Sequence, residues 1–153
     1  MADSRERYYA FWASLLPRSN ARTGFSLRSP TKRAYVAYCR QGFCFHYRLE
    51  DDQPHAQVAF ILQRSAADAI FARLVQQRAP IEAAVRAPLT WLPAWRRPDH
   101  RWPVPAIVRV IACPGLRDLG QEAWPALQTQ MIEAMVRLER ALVPHLQPWL
   151  TDD

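Results

Sequence analysis

The sequence predicts an α+β fold: a single domain with element order αβββαββα, a mostly antiparallel sheet and helices packed on it. Three observations predict it. Apolar and polar residues alternate in short segments between residues 34 and 62 and again at 106–112, the period of a half-buried strand. Near both ends the apolar residues recur at three- and four-residue spacing instead, the period of an amphipathic helix. Residues 56–91, AQVAFILQRSAADAIFARLVQQRAPIEAAVRAPLTW, join both periods in one run of strand, capped helix, proline-reset helical turn and short strand.

Each element has a local reason. Asp3 or Ser4 caps a first helix whose buried stripe is Tyr8, Phe11, Trp12 and Leu15, and Pro17 is expected to end it. Residues 18–32, RSNARTGFSLRSPTK, read as a long ordered loop anchored by Phe25 and Leu27. Residues 34–39 and 43–49 form a hairpin about Gln41-Gly42, where glycine supplies the positive φ of a two-residue turn. That register sets Cys39 opposite Cys44, Ala37 opposite His46 and Tyr35 opposite Arg48 on one face. Val36, Tyr38, Phe43, Phe45 and Tyr47 occupy the other, which is the core side. An acidic turn at Glu50, Asp51 and Asp52 leads to a third strand, residues 56–62.

Ser65 is expected to cap the second helix, with Asp68 completing a capping box and Ile70, Phe71, Leu74 and Val75 on its buried face. Pro80 suits the first turn of a new helical segment carrying Ile81, Ala84 and Val85. A fourth strand at 89–92, a Trp-, Arg- and Pro-rich loop at 93–105 and a fifth strand at 106–112 follow. The closing helix, from about 121 to 143, carries Trp124, Leu127, Met131, Met135, Leu138 and Leu142. Such a stripe is a helix lying on a sheet.

Composition narrows the function. The chain has 153 residues, half of them hydrophobic, enough for one core without a metal or disulfide staple. Three cysteines, Cys39, Cys44 and Cys113, form no C-x-x-C pair, so reduced thiols and a cytoplasmic location are expected. With no apolar run of about 20 residues and no signal pattern, no membrane role is expected. The net charge of +6 is carried almost wholly by arginine, since Lys32 is the one lysine. Its distribution is uneven: no Asp or Glu lies between Tyr8 and Leu49, where Arg18, Arg22, Arg28, Lys32, Arg33, Arg40 and Arg48 all fall.

The strand AQVAFIL followed by IFARLVQQRAPIEAAVRAPLTW resembles the domain of unknown function (DUF) 4268 family of bacterial and archaeal proteins. Phe71, Leu74, Ile81, Glu82, Leu89 and Trp91 stand at the places of that family's pattern, and YYAFWASLL and the closing helix fit it too. The chain departs from it at Ala59, where members usually carry Glu, and at Arg86, where they usually carry Gly. Chemistry done by that glutamate would be lost here. The resemblance implies a domain that often follows a nuclease-like domain in proteins of DNA restriction or phage defence. These residues contain no such partner, so the expectation is an accessory module acting with a separate nuclease, helicase or other defence subunit.

Catalytic constellations are missing from the sequence, and no catalytic residue, metal or cofactor is assigned. The first six elements, αβββαβ, match the order of a restriction-endonuclease-like core, which would make this a degenerate one. Its metal site needs acids and a lysine on the second and third strands, and AQVAFIL has neither. His46, His55, His100 and His145 form no H-E-x-x-H pair, and four glycines make no phosphate loop. Cys39, Cys44 and His46 share a hairpin face, with Cys113 a conceivable fourth ligand, but facing cysteines are more often small buried hydrophobes than zinc ligands.

Two basic clusters remain as candidate binding residues. The first is Arg18, Arg22, Arg28, Lys32 and Arg33, interleaved with Ser, Thr and Asn that reach phosphates beside the charges. The second is Trp95, Arg96, Arg97 and Arg101, flanked by Trp91, His100 and Trp102, where indoles stack bases and guanidinium groups hold the backbone. The expected function is a non-catalytic nucleic-acid-binding module; the alternative is a protein-interaction subunit with aromatic and arginine hot spots, and an active nuclease or other enzyme comes third.

Overall fold

The computed structural model describes residues 3–98 and 100–150. Helix α1 (Ser4–Asn20) leads into strands β1 (Tyr35–Arg40), β2 (Phe43–Leu49) and β3 (His55–Leu62). Helices α2 (Ala67–Gln76) and α3 (Arg78–Val85) follow, then β4 (Thr90–Trp95), β5 (Val104–Ala112) and α4 (Trp124–Leu146). The strands form one antiparallel sheet in the order β1-β2-β3-β5-β4. The expected α+β class and order hold, with the second helical element divided at Gln77, where the backbone leaves helical angles. Among the described residues no helix is long and apolar enough to cross a membrane.

Asp3 caps α1 as expected, its side chain accepting from the Glu6 N–H at 3.0 Å. Pro17 does not end the helix. It forfeits one backbone bond, but tertiary contacts hold the last turn in place. Ser19 Oγ lies 2.7 Å from the Tyr47 hydroxyl, and the Asn20 amide bonds both the N–H and the C=O of Leu27. The loop beyond is anchored as its sequence indicates: Phe25 is buried between Tyr38 and Phe45, nearly parallel to both.

The hairpin turns at Gln41 and Gly42, both with positive φ, and its register is the expected one, Tyr35 opposite Arg48 through Cys39 opposite Cys44. Cys39 and Cys44 are not reduced thiols: a disulfide joins them. They face each other as a non-hydrogen-bonded pair with Cα atoms 4.1 Å apart, the pairing that brings cross-strand side chains closest. The expected Ser65 cap is absent as well. Ala66 precedes α2 in a left-handed conformation, and no side chain bonds the first-turn N–H groups. β4 runs past Pro93 to Trp95, with an irregularity against β5 between Leu92 and Trp95, because an edge strand tolerates both proline and a bulge. At the closing helix, residues 121–123 form a 3-10 turn before α4 begins.

The sheet's two faces are covered differently. Val58, Phe60 and Leu62 of β3, with Ile107 and Ile111 of β5, face the helices in a core that includes Phe11, Trp12, Leu74, Ile81, Met131, Met135 and Leu142. Cys44, Ala59, Ile61, Ala106 and Val108 form a second, smaller cluster to which no helix contributes; Leu92, Trp95 and Val104 pack on it. β2 lies between the two, and all seven of its residues are buried.

Arg86 ends α3 at φ 62°, ψ 32°, a conformation that costs an L-residue but not glycine. Arg86→Gly is therefore expected to raise unfolding stability by about 1 kcal/mol, read as a higher urea midpoint at unchanged slope. Gly42→Ala is expected to lower the midpoint: φ is +80°, and a Cβ there would sit 2.5 Å from Arg64 Cβ and 2.8 Å from the Gln63 carbonyl oxygen.

Candidate nucleic-acid interface

The helix-free face gathers the polar and aromatic residues. At the β1 end, Trp12 Nε1 donates to the Arg33 carbonyl at 2.8 Å, and Thr31 Oγ1 donates to the Tyr35 carbonyl at 2.7 Å. These bonds fix the entry to β1, and the Arg33 guanidinium donates to the Tyr35 hydroxyl at 3.1 Å. The Tyr35 ring stacks on His46, with centroids 4.9 Å apart and 13° between planes. From the β4 edge of the sheet, Trp95, Arg97 and His100 reach onto this face. His100 lies 5.3 Å from Tyr35, and Trp95 meets His46 edge-on at 5.9 Å. Arg97 is 3% exposed with its guanidinium 5.8 Å from the Trp95 ring centre. Small residues make the room: Ala59 pairs with His46 on one side and Val108 on the other, and belongs to the cluster on which Trp95 packs.

His46 is 1% exposed, and its Nε2 has no hydrogen-bond partner among the described residues. Burial drives its pKa well below the ordinary 6.5, and the charges of Arg48 and Arg97, with the neighbouring His100, push the same way. The imidazole is a neutral plate at pH 7. Arg48, also buried, lies 5.8 Å over Tyr35 and pairs with Glu50 at 3.2 Å.

The two sequence clusters are redistributed. Arg18 turns to α4, donating to the Pro125 carbonyl, Gln128 Oε1 and Thr129 Oγ1, and Arg22 pairs with Glu133 at 2.6 Å. Lys32 sits 3.7 Å from Glu6, both half-exposed or more, a contact that salt screens readily. Arg28 is exposed beside β1, away from these ion pairs. Arg33 alone of the first cluster bonds to Tyr35 and so joins the second. There Arg96 is exposed, Arg97 is the buried and Trp95 the half-buried support described above, and Arg101 lies 5.3 Å from the ring of Trp102, which is 69% exposed. Trp91 is structural: its Nε1 donates to Glu82 at 2.8 Å, on the helix side of the sheet. Glu82 also accepts from Arg78 at 2.7 Å, and that bond, then the Trp91 bond, holds its carboxyl below the usual range.

Tyr35 and Arg48 were not among the residues the sequence singled out, and His46 stood out only as a metal-ligand candidate, although the hairpin register already put all three on one face. The zinc alternative does not survive. Cys39 and Cys44 are consumed by their disulfide, and Cys113 lies past the His55–Ala112 pair while Cys44 pairs with Ile61 and, through it, Ala106. No group of His, Cys, Asp or Glu that could hold a metal occurs among the described residues. On β3, Gln57, Ala59 and Ile61 face the helix-free side, so no acid of that strand enters the site.

The sequence profile of the family described as Domain of unknown function (DUF4268) matches residues 7–146, and the chain belongs to that family. No curated protein and no solved structure matches it. The residues that carried the resemblance are structural here. Phe71, Leu74, Ile81 and Leu89 are buried, and Glu82 and Trp91 are bonded to each other. Arg86, in place of the usual glycine, occupies the left-handed end of α3.

Because the folded pKa of His46 lies below its unfolded value, the unfolded chain binds the proton first. Stability is therefore expected to fall as pH drops below about 6.5, with this one group adding a slope of up to about 1.4 kcal/mol per pH unit. His46→Phe, which keeps a ring under Tyr35, is expected to flatten the urea midpoint between neutral and mildly acidic pH. An unchanged slope in the variant would place the acid sensitivity elsewhere.

Proposed function

We propose that this chain is a non-catalytic nucleic-acid-binding module of a prokaryotic DNA-processing or phage-defence system, acting beside a separate nuclease, helicase or other effector chain. The contact between Tyr35 and His100 carries the proposal, because it unites two basic segments far apart in sequence on the face that no helix covers. Arg33, Arg96 and Arg101 supply exposed cations for phosphate oxygens. Trp102 supplies an exposed indole with Arg101 beside it, the pairing that stacks an unpaired base while holding its backbone. Arg97, Tyr35 and His46 hold that surface in shape from beneath. Arg18 and Arg22 are left to α4 and take no part.

Fluorescence anisotropy with labelled single-stranded and duplex oligonucleotides, titrated over a range of salt, tests the reading. Affinity is expected to fall steeply with salt. Replacing Arg33, Arg96 and Arg101 together by Ala is expected to lessen the slope of log K against log salt by about 2 for single strands and nearly 3 for duplex. Trp102→Ala is expected to weaken single-strand binding by about 1–3 kcal/mol while leaving the salt slope unchanged. Arg18→Ala and Arg22→Ala are expected to change neither. Absence of binding at about 50 mM salt would overturn the proposal.

A further inference from the structure

We propose that the free edge of β1 is a docking site for an extended, acidic peptide segment of a partner protein, which adds to the sheet as a further strand. Strand register carries the inference. The Leu49 N–H donates to the Ala34 carbonyl at 2.9 Å, so the mutually bonded pairs along β1 and β2 are Ala34–Leu49, Val36–Tyr47, Tyr38–Phe45 and Arg40–Phe43. The backbone N–H and C=O of Tyr35, Ala37 and Cys39 therefore point away from β2. Thr31 takes up the Tyr35 carbonyl. Among the described residues nothing bonds the outward groups of Ala37 and Cys39.

Exposed edges of this kind are templates for another strand, and proteins usually blunt them with proline, a bulge or a cover. The opposite edge, β4, has both Pro93 and a bulge. β1 has neither. Instead the loop carrying Ser26, Leu27, Arg28 and Ser29 stands off from residues 36–39 and leaves a groove of about 420 Å³ between them. Four strand residues offer a run of about 13 Å, enough for a short extended segment.

Two features define the occupant. The edge alternates donors with acceptors, which a peptide backbone matches; a phosphodiester, with acceptors only, does not. The groove is cationic: Arg28 lines it, no Asp or Glu is among its lining residues, and Arg40 ends the strand. A second copy of this chain would set two positive edges together, whereas an acidic segment complements one. The Cys39–Cys44 disulfide ties the strand to its neighbour, so the edge is ordered before the peptide arrives.

A fluorescein-labelled octapeptide of alternating Glu and Val is the probe, with alternating Glu and Pro as a control of equal charge and fewer backbone donors. Binding of the first to the full chain, and at least about tenfold weaker binding of the second, is expected. Ala37→Pro removes an outward N–H without touching the ladder to β2, and Arg28→Glu reverses the wall charge; each is expected to weaken binding by about tenfold or more. Arg96→Ala and Arg101→Ala are expected to leave it unchanged, which separates this site from the nucleic-acid surface. Amide exchange on the unaltered protein keeps the test valid should Ala37→Pro fail to fold: the Ala37 and Cys39 amides are expected to exchange rapidly alone and slowly with peptide. No binding, equal binding of both peptides, unprotected amides, self-association through this edge, or protection of these amides by an oligothymidine in place of the peptide would each overturn the proposal.

Discussion

An antiparallel sheet whose helices all pack on one side can leave its other side to water, but in this chain that side is apolar, and its cover is the end of β4 with the residues around it. The cover is required because β2 is buried along its whole length: Phe43, Phe45, Tyr47 and Leu49 face the helices, and Cys44, His46 and Arg48 face the opposite way. Leaving the second set in water would expose the apolar cluster of Ala59, Ile61, Ala106 and Val108. Leu92, Trp95 and Val104 pack on it, Arg97 is buried beside Trp95, and Arg96, Arg101 and Trp102 stand exposed. One packing constraint thus produces both the floor of the candidate interface and its exposed groups.

That floor is built of stacked rings and buried guanidinium groups. A buried neutral His46 with cations around it supports the stacked rings, and Ala59 beside it leaves room for the covering segment where a longer side chain would compete for the space. The charge that reaches solvent is guanidinium on flexible stems, suited to phosphate oxygens, and the indole of Trp102 stands clear of the core. Guanidinium groups on the α1–α4 side are used differently. Arg18 and Arg22 join the two helices through Gln128, Thr129 and Glu133, so part of the basic field read from the sequence is spent on internal contacts.

Much of the scaffold was legible in the residues. The Gln41-Gly42 turn, with alternation on both sides, fixes the hairpin register to the residue, and a one-position slip would reverse every side chain of β2. Phe25 and Leu27 stood out as anchors because they are the only large apolar residues in their loop, and both are buried. What was not legible depended on distant partners. Pro17 lies inside α1 because Tyr47 and Leu27 hold the turn beyond it. Arg18 could not be told from Arg33 by composition, since its partner Thr129 is 111 positions away. The disulfide was missed because facing cysteines on a hairpin read equally well as small core residues, and the burial of Arg97 because its shelter, Trp95, ends a strand that its sequence suggested would stop at Leu92.

The central claim is that nucleic acid meets the helix-free face of the sheet. Photo-crosslinking an oligonucleotide substituted with bromodeoxyuridine to the full chain, followed by mapping of the linked peptides, tests it most directly. The account predicts crosslinks in the segments holding Tyr35 and Trp102, lost at high salt. Crosslinks confined to α1 and α4, around Arg18 and Arg22, would contradict it.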